Sequence, residues 1–247
     1  MNESVILIRM GVVFIKVTKI QTTYQLAFLP RLFPVNCYFV EEKDGLTLID
    51  AGMSFCLRGI MLVASQIGKP IRRIVLTHAH EDHVGALDAL KEQLPDVTVY
   101  ISHRDAPLLS GDTSLLPTEP NVPIRGGIPK KIKTQADVLL RDGDRIESLI
   151  AVDAPGHTPG SMAFLDTRNR ILIAGDAFQT RGGIVVSGQL KLSFPFPAMA
   201  TWHKPTALES AKKLSELQPT LLAVGHGVMI ENPVKAMFQS ISEGMRV

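Results

Sequence analysis

Between Thr77 and Gly85 the chain reads Thr-His-Ala-His-Glu-Asp-His-Val-Gly, which sets His78, His80, Asp82 and His83 almost side by side. Neutral imidazole and carboxylate are the donors that a borderline divalent cation such as zinc prefers. An apolar run, residues 74–76, leads into the cluster, and a helix-like apolar stretch, residues 84–90, leads out of it. The pattern predicts a buried strand that ends, a tight loop that projects the donors, and a helix that begins. One cation does not use so many ligands, so two are expected.

Three later segments also place a polar donor at the end of an apolar run. They are Pro155-Gly156-His157-Thr158-Pro159-Gly160-Ser161, Ile173-Ala174-Gly175-Asp176-Ala177 and Val224-Gly225-His226-Gly227. In order and spacing the four segments resemble the metal motifs of the metallo-β-lactamase-fold hydrolases, with His-x-His-x-Asp-His as the first, over residues 35–230. The resemblance implies an α+β fold, a four-layer αββα sandwich of two mixed β-sheets flanked by helices. Matching motif positions gives a ligand set: His78, His80 and His157 for a first metal, Asp82, His83 and His226 for a second, and Asp176 bridging both. Zinc is the first expectation, and manganese, iron or cobalt would accept the same donors. Metals ~3.5–4 Å apart can share a hydroxide, and the pKa of metal-bound water falls to about 7. The implied reaction is attack of that hydroxide on a substrate carbonyl, with Asp82 steering it and carrying a proton to the leaving group. Five of the seven histidines fall on these positions. For the remaining two, a helix start explains His103, and His203 lies beside Trp202 ahead of a helix.

With 247 residues, 45% of them hydrophobic and 20% charged, the chain is long enough for one large globular domain. A net charge of +2 gives no argument for nucleic acid or a membrane surface. Two cysteines, Cys37 and Cys56, imply no disulfide framework and read as free thiols of a reducing cytoplasm. The apolar runs at residues 5–8 and 12–15 are broken by Arg9 and Lys16, so neither a signal peptide nor a membrane span is expected there. The reading is a single domain over 1–247, with residues 1–9 an N-terminal extension and residues 10–19 the first strand.

Further along, residues 36–40 and 46–49 flank a polar, Gly-containing turn and predict a hairpin. Asp50 follows, as a turn carboxylate or as a group orienting a metal-binding loop. Helices are predicted over 55–67, ending at Gly68, over 84–94, ending at Pro95, over 103–109 and over 206–217, and Asn232-Pro233 opens a last one. Residues 97–101 and 221–224 read as strands. Hairpins are predicted over 138–152 and over 161–174. Thr77 and Thr158 are expected to cap local backbone, with hydrogen bonds to neighbouring loops or ligating groups as the alternative, and Glu81 to be a solvated carboxylate or one that supports the ligands. Two long irregular segments, 110–133 and 179–202, are expected beside the active site.

Several branches of the family can be weighed on these residues. A zinc β-lactamase of the commoner type lacks an aspartate at the bridging position and is exported. Flavodiiron-type proteins replace one histidine of the motif by glutamate and carry a flavin domain. The nucleases carry inserted domains or basic arms, and glyoxalase II-like thioesterases add a C-terminal helical region. N-acyl homoserine lactonases share the ligands, but several place a tyrosine shortly after the bridging aspartate, where this chain has Ala177-Phe178-Gln179. Phe194, Phe196, Met199 and Trp202 are candidates to wall an apolar substrate pocket. The expected substrate is a small, apolar ester, lactone or thioester, with a phosphodiester or a non-catalytic metal-binding role as alternatives. No nucleic-acid or membrane partner is expected, and a homodimer is compatible with the fold.

Overall fold

The computed structural model describes residues 3–10 and 13–246. Residues 11 and 12, which the expected first strand includes, lie outside the described residues. Eight strands build the first sheet in chain order: β1 Glu3–Met10, β2 Val13–Ile20, β3 Thr23–Phe28, β4 Val35–Glu41, β5 Leu46–Ile49, β6 Ile71–Val75, β7 Thr98–Ser102 and β8 Val138–Leu140. The first five pair antiparallel and β5 to β8 pair parallel. The second sheet uses β9 Arg145–Ile146, β10 Leu149–Asp153, β11 Met162–Asp166 and β12 Ile171–Ile173. After a small ladder of β13 Phe178–Gln179 with β14 Val185–Val186, β15 Leu221–Ala223 and β16 Ile230–Glu231 complete it. Its order is β16-β15-β12-β11-β10-β9.

Alternation along the strands sorts the core into three layers, because successive side chains leave a strand on opposite faces. In β4, Phe39 faces outward and Tyr38 and Val40 face inward; in β12, Leu172 faces outward and Ile171 and Ile173 inward. The inward residues of both sheets meet in one buried layer that includes Ile49, Val75, Phe164 and Leu221. Outside the first sheet, α1 Leu57–Ile67 and α3 Leu87–Gln93 bury Ile60, Val63, Leu87 and Leu90. Outside the second, α6 Lys204–Glu216 and α7 Val234–Gly244 bury Ala211, Leu214, Met237 and Ile241. Helix, sheet, sheet, helix is the four-layer αββα sandwich. Tyr38 stitches its halves: its hydroxyl donates to Val224 O at 2.7 Å and accepts from Val224 N at 3.0 Å. No helix among the described residues is long and apolar enough to cross a membrane.

Three expectations about elements need correction, and one strand stands where none was expected. The described part of segment 1–9 is not an extension: β1 pairs with β2 from Glu3↔Ile20 to Met10↔Val13, since a ladder needs backbone partners and Arg9 does not interrupt it. β3 is a strand that the pattern does not announce, because Thr23, Tyr24 and Gln25 break the apolar alternation. The helix expected over 84–94 is two, α2 Glu81–Val84 and α3, because the backbone there turns to pair with Gly52. Ala51 N and Gly52 N both donate to His83 O, and Ala86 N donates to Gly52 O. The hairpin expected over 138–152 is a crossing between sheets: β8 pairs with β7, and residues 141–144 carry the chain over to β9 and β10.

Candidate metal centre

All seven donors singled out in the sequence meet at one edge of the sandwich. Each leaves the C-terminal end of a strand: His78 to His83 follow β6, His157 follows β10, Asp176 follows β12 and His226 follows β15. Their inward atoms fall into three close sets, each within 4.8 Å: His78, His80 and His157; His78, His83 and Asp176; and Asp82, His83 and His226. His80 Nδ1 and His157 Nε2 lie 3.0 Å apart. One oxygen of Asp176 sits 3.3 Å from His157 Nε2 and 3.1 Å from His226 Nε2, and the other sits 3.5 Å from His83 Nε2. Asp176 therefore stands between the two groups of histidines.

The outer nitrogen of every histidine is tied to an acceptor, which decides what its inner nitrogen can do. His83 Nδ1 donates to Asp50 Oδ2 at 2.8 Å, and His226 Nδ1 donates to Pro34 O at 2.6 Å. His80 Nε2 donates to Arg125 O at 2.9 Å. Thr77 Oγ1 spends its proton on Asp50 Oδ2, so it accepts from His78 Nδ1 at 3.0 Å. Thr201 Oγ1 spends its proton on Pro197 O and accepts from His157 Nδ1 at 3.2 Å. Each ring thus keeps a proton outside and turns its other nitrogen inward, the arrangement by which outer partners orient metal-ligating histidines. Three of the buried inward atoms, His78 Nε2, His83 Nε2 and Asp176 Oδ1, have no hydrogen-bond partner. Buried polar atoms are rarely left so, and a divalent cation bound by N and O donors would satisfy them. The residues fit the metals the donor set implies.

Charge is unequal across the cluster. Burial holds His78 and His80 below the usual histidine range and takes His157 down to about 3, so these imidazoles are neutral. Burial also opposes charge on His83 and His226, but Asp176 and the other carboxylates outweigh it. His83 is raised to about 9 and His226 well above its ordinary value. Against their own burial, His83 and His226 hold Asp82 ionised, and His226 and His83 do the same for Asp176. The half containing Asp82, His83 and His226 therefore attracts positive charge most strongly.

A cavity of about 550 Å³ opens onto the donors, with His80, Asp82, His157, Asp176 and His226 in its floor. Phe33, Met53, Phe55, Phe196 and Met199 form apolar walls, and Glu81, Gly126 and Gly127 stand at the rim. Of the four expected wall residues, Phe196 and Met199, on the short helix α5 Phe196–Ala200, line the cavity. Phe194 and Trp202 do not: Phe194 packs behind the wall against Phe33 and His226, and Trp202 Nε1 donates to Val122 O at 2.8 Å. That bond ties segment 179–202 to segment 110–133. Gly126 lies against His80, and a Cβ there would overlap the imidazole. Gln179, the group nearest the position of the absent tyrosine, points to Phe194 O and does not line the cavity. His203 caps α6 instead, accepting from Thr206 N.

Some of these roles were not announced by the sequence. No pattern in the sequence singles out Phe33, Met53 and Phe55 as pocket walls, and only the fold turns them toward the donors. Thr77 and Thr158 follow the alternative expectation rather than local capping: Thr77 relays Asp50 to His78, and Thr158 donates to Asp105. Asp105 is fully buried, and burial pushes its carboxyl up to about 6 against the pull of its hydrogen-bond donors. Its place in a short run before α4 Ala106–Leu109 gave no signal.

A four-layer sandwich with such a His/Asp cluster at its edge has the architecture of a metallo-hydrolase. The chain belongs to the metallo-beta-lactamase superfamily, whose family model matches residues 30–226. It is similar to YobT, an uncharacterised protein of Bacillus subtilis strain 168, at 55% identity over 231 residues, 94% of this chain and 99% of that one. YflN, a probable metallo-hydrolase of the same organism, is 33% identical over 216 residues, 78% of this chain and 80% of that one. Among solved structures, TTHA1623 in a di-iron-bound form aligns with a TM-score of 0.62 at 28% identity, covering 83% of this chain and 93% of that one.

Proposed function

We propose that the protein is a binuclear metal-dependent hydrolase that cleaves the ester, lactone or thioester bond of a small apolar substrate. The observation that carries this reading is the cavity: inward-facing metal donors form its floor, aromatic and Met side chains form its walls, and no lysine or arginine lines it among the described residues. Two divalent cations bound here would supply an activated water and polarise the substrate carbonyl. Zinc fits the donors, and the di-iron relative keeps iron beside it.

The chain's own residues do the rest. Phe33, Phe55, Phe196 and Met199 bind the apolar part of the substrate and exclude water around it. Asp176 holds the two histidine groups in register. Asp82 has a side chain 21% exposed, against 4% for Asp176, so it can reach both the cavity and His226 Nε2, 3.4 Å away. It is therefore placed to take a proton at its carboxylate and pass it to the leaving group. Asp82→Asn should lower kcat by about 10²–10⁴-fold, the range for losing a positioned proton carrier, while two metal ions are retained. Full activity with both ions present would remove the proton role.

Absence of a cationic side chain in the lining disfavours a phosphodiester or another anionic substrate. Replacing Phe33 and Phe196 together by Ala should raise KM for a long acyl chain about 10-fold or more, and less for a short one, as expected when several methylene contacts of ~0.8 kcal/mol are lost. Equal effects on both chain lengths would contradict an acyl-binding wall.

A further inference from the structure

We propose that Asp105 is a positioning residue that fixes the first metal subsite by clamping its two ligand loops together; this rests on the metallohydrolase reading above. Asp105 lies just beyond β7, in the first sheet, and both its carboxylate oxygens point into the gap between the two sheets' loops. One oxygen accepts from Ala79 N at 3.0 Å, the amide between His78 and His80. The same oxygen accepts from Thr158 Oγ1 at 2.7 Å, next to His157. The other accepts from Gly160 N at 2.7 Å, in the same loop as His157. All three partners are donors. Asp105 is itself fixed, because its own N–H donates to Ser102 Oγ at 2.9 Å.

Packing says the same independently. Gly160 approaches so closely that a Cβ there would overlap Asp105 and Ser102. On the outside of the same turn, Arg104 pairs with Glu119 at 2.5 and 2.8 Å and donates to Ser114 O, which anchors the segment that places Arg125 O on His80. Asp50 holds His83 directly and reaches His78 through Thr77. The two buried carboxylates thus act differently: Asp105 sets the spacing of the His78–His80 loop against the His157 loop, and Asp50 orients individual rings, His83 beside Asp82 and His226 and, through Thr77, His78.

The clamp predicts a loss confined to one subsite. Asparagine at 105 has one acceptor and one donor end, so it cannot face three donors. Zinc binding is measured by competition with a chromophoric chelator on wild type, Asp105→Asn, Thr158→Val and a control, Leu214→Ala. Leu214 is buried in α6 in the outer layer of the second sheet and does not line the cavity, so that variant loses thermal stability without removing any bond of the clamp. Wild type should bind two ions. Asp105→Asn should keep one tight ion and bind the second 10–100-fold more weakly, the scale for losing a group that orients ligands. Thr158→Val, which removes one arm and keeps the carboxylate, should show a smaller loss in the same ion and covers the case in which Asp105→Asn does not fold. Leu214→Ala should bind both ions as wild type does. Equal affinities in wild type, Asp105→Asn and Thr158→Val would overturn the clamp, as would a loss in Leu214→Ala matching that in Asp105→Asn. A wild type that takes up no zinc would instead overturn the metallohydrolase reading on which the clamp rests.

Discussion

Asp176→Asn should give a folded protein whose hydrolytic activity is lower by on the order of 10²–10³ or more, the scale for removing one group that stabilises developing charge in a dry site. The expectation follows from position. Among the described residues, Asp176 is the one carboxylate whose oxygens reach both histidine groups, through His157 on one side and His83 and His226 on the other. Asparagine keeps the shape and removes the charge, so the loss should appear in kcat and in metal affinity rather than in the unfolding midpoint of the metal-free protein. A variant that binds two ions as tightly as wild type and turns over at the same rate would remove Asp176 from the centre of the account.

Asp50→Ala should combine a stability loss with a metal-binding loss. Asp50 is buried and accepts from Thr77 N, Thr77 Oγ1 and His83 Nδ1, all at 2.8 Å. Stranding a buried donor costs about 1–3 kcal/mol, and three that share one acceptor should together cost roughly 3–5 kcal/mol, with partial relaxation. At about 2–4 °C per kcal/mol for a chain of this size, the metal-free Tm should fall by roughly 6–20 °C. Asp50 also sits at φ 61, a left-handed conformation that Ala adopts less readily than Asp. Metal affinity at the subsite of His83 should fall ~10–100-fold, because His83 and, through Thr77, His78 lose the group that fixes their rings. Thermal unfolding with and without zinc separates the two effects. A Tm unchanged within 2 °C or so of wild type would show that the three hydrogen bonds are replaced by water at little cost.

The candidate donors were legible because metal chemistry restricts residue type, and each of their motifs stands at the end of an apolar run that reads as a strand. The αββα architecture was legible through the family resemblance that those motifs carry. Elements whose form is set by a distant partner were harder to read. β1 is a strand because β2 offers an unpaired edge, and the break between α2 and α3 is made by Gly52, more than a turn of chain away in sequence. β8 looked like half of a hairpin because pairing partners cannot be read from apolar content alone. At the site, the donors and Asp50 were found, but not the more distant supports. Asp105 and Arg125 O act through hydrogen bonds to segments 26 and 45 residues away. The apolar wall was half found: Phe196 and Met199 sit in a segment whose aromatic content stood out. Phe33, Met53 and Phe55 come from places where a hydrophobic residue needs no special explanation.

Proton release on a pH-stat would separate carbonyl hydrolysis from phosphodiester hydrolysis at this centre. Zinc- or manganese-loaded protein would be offered a long-chain acyl lactone, an acyl thioester and a phosphodiester side by side, with His78→Ala as the paired control. Turnover of the lactone or the thioester is expected, lost in His78→Ala and lost again on chelation of the metal. Turnover of the phosphodiester alone, or of none of the three by fully loaded protein, would contradict the proposed carbonyl hydrolysis.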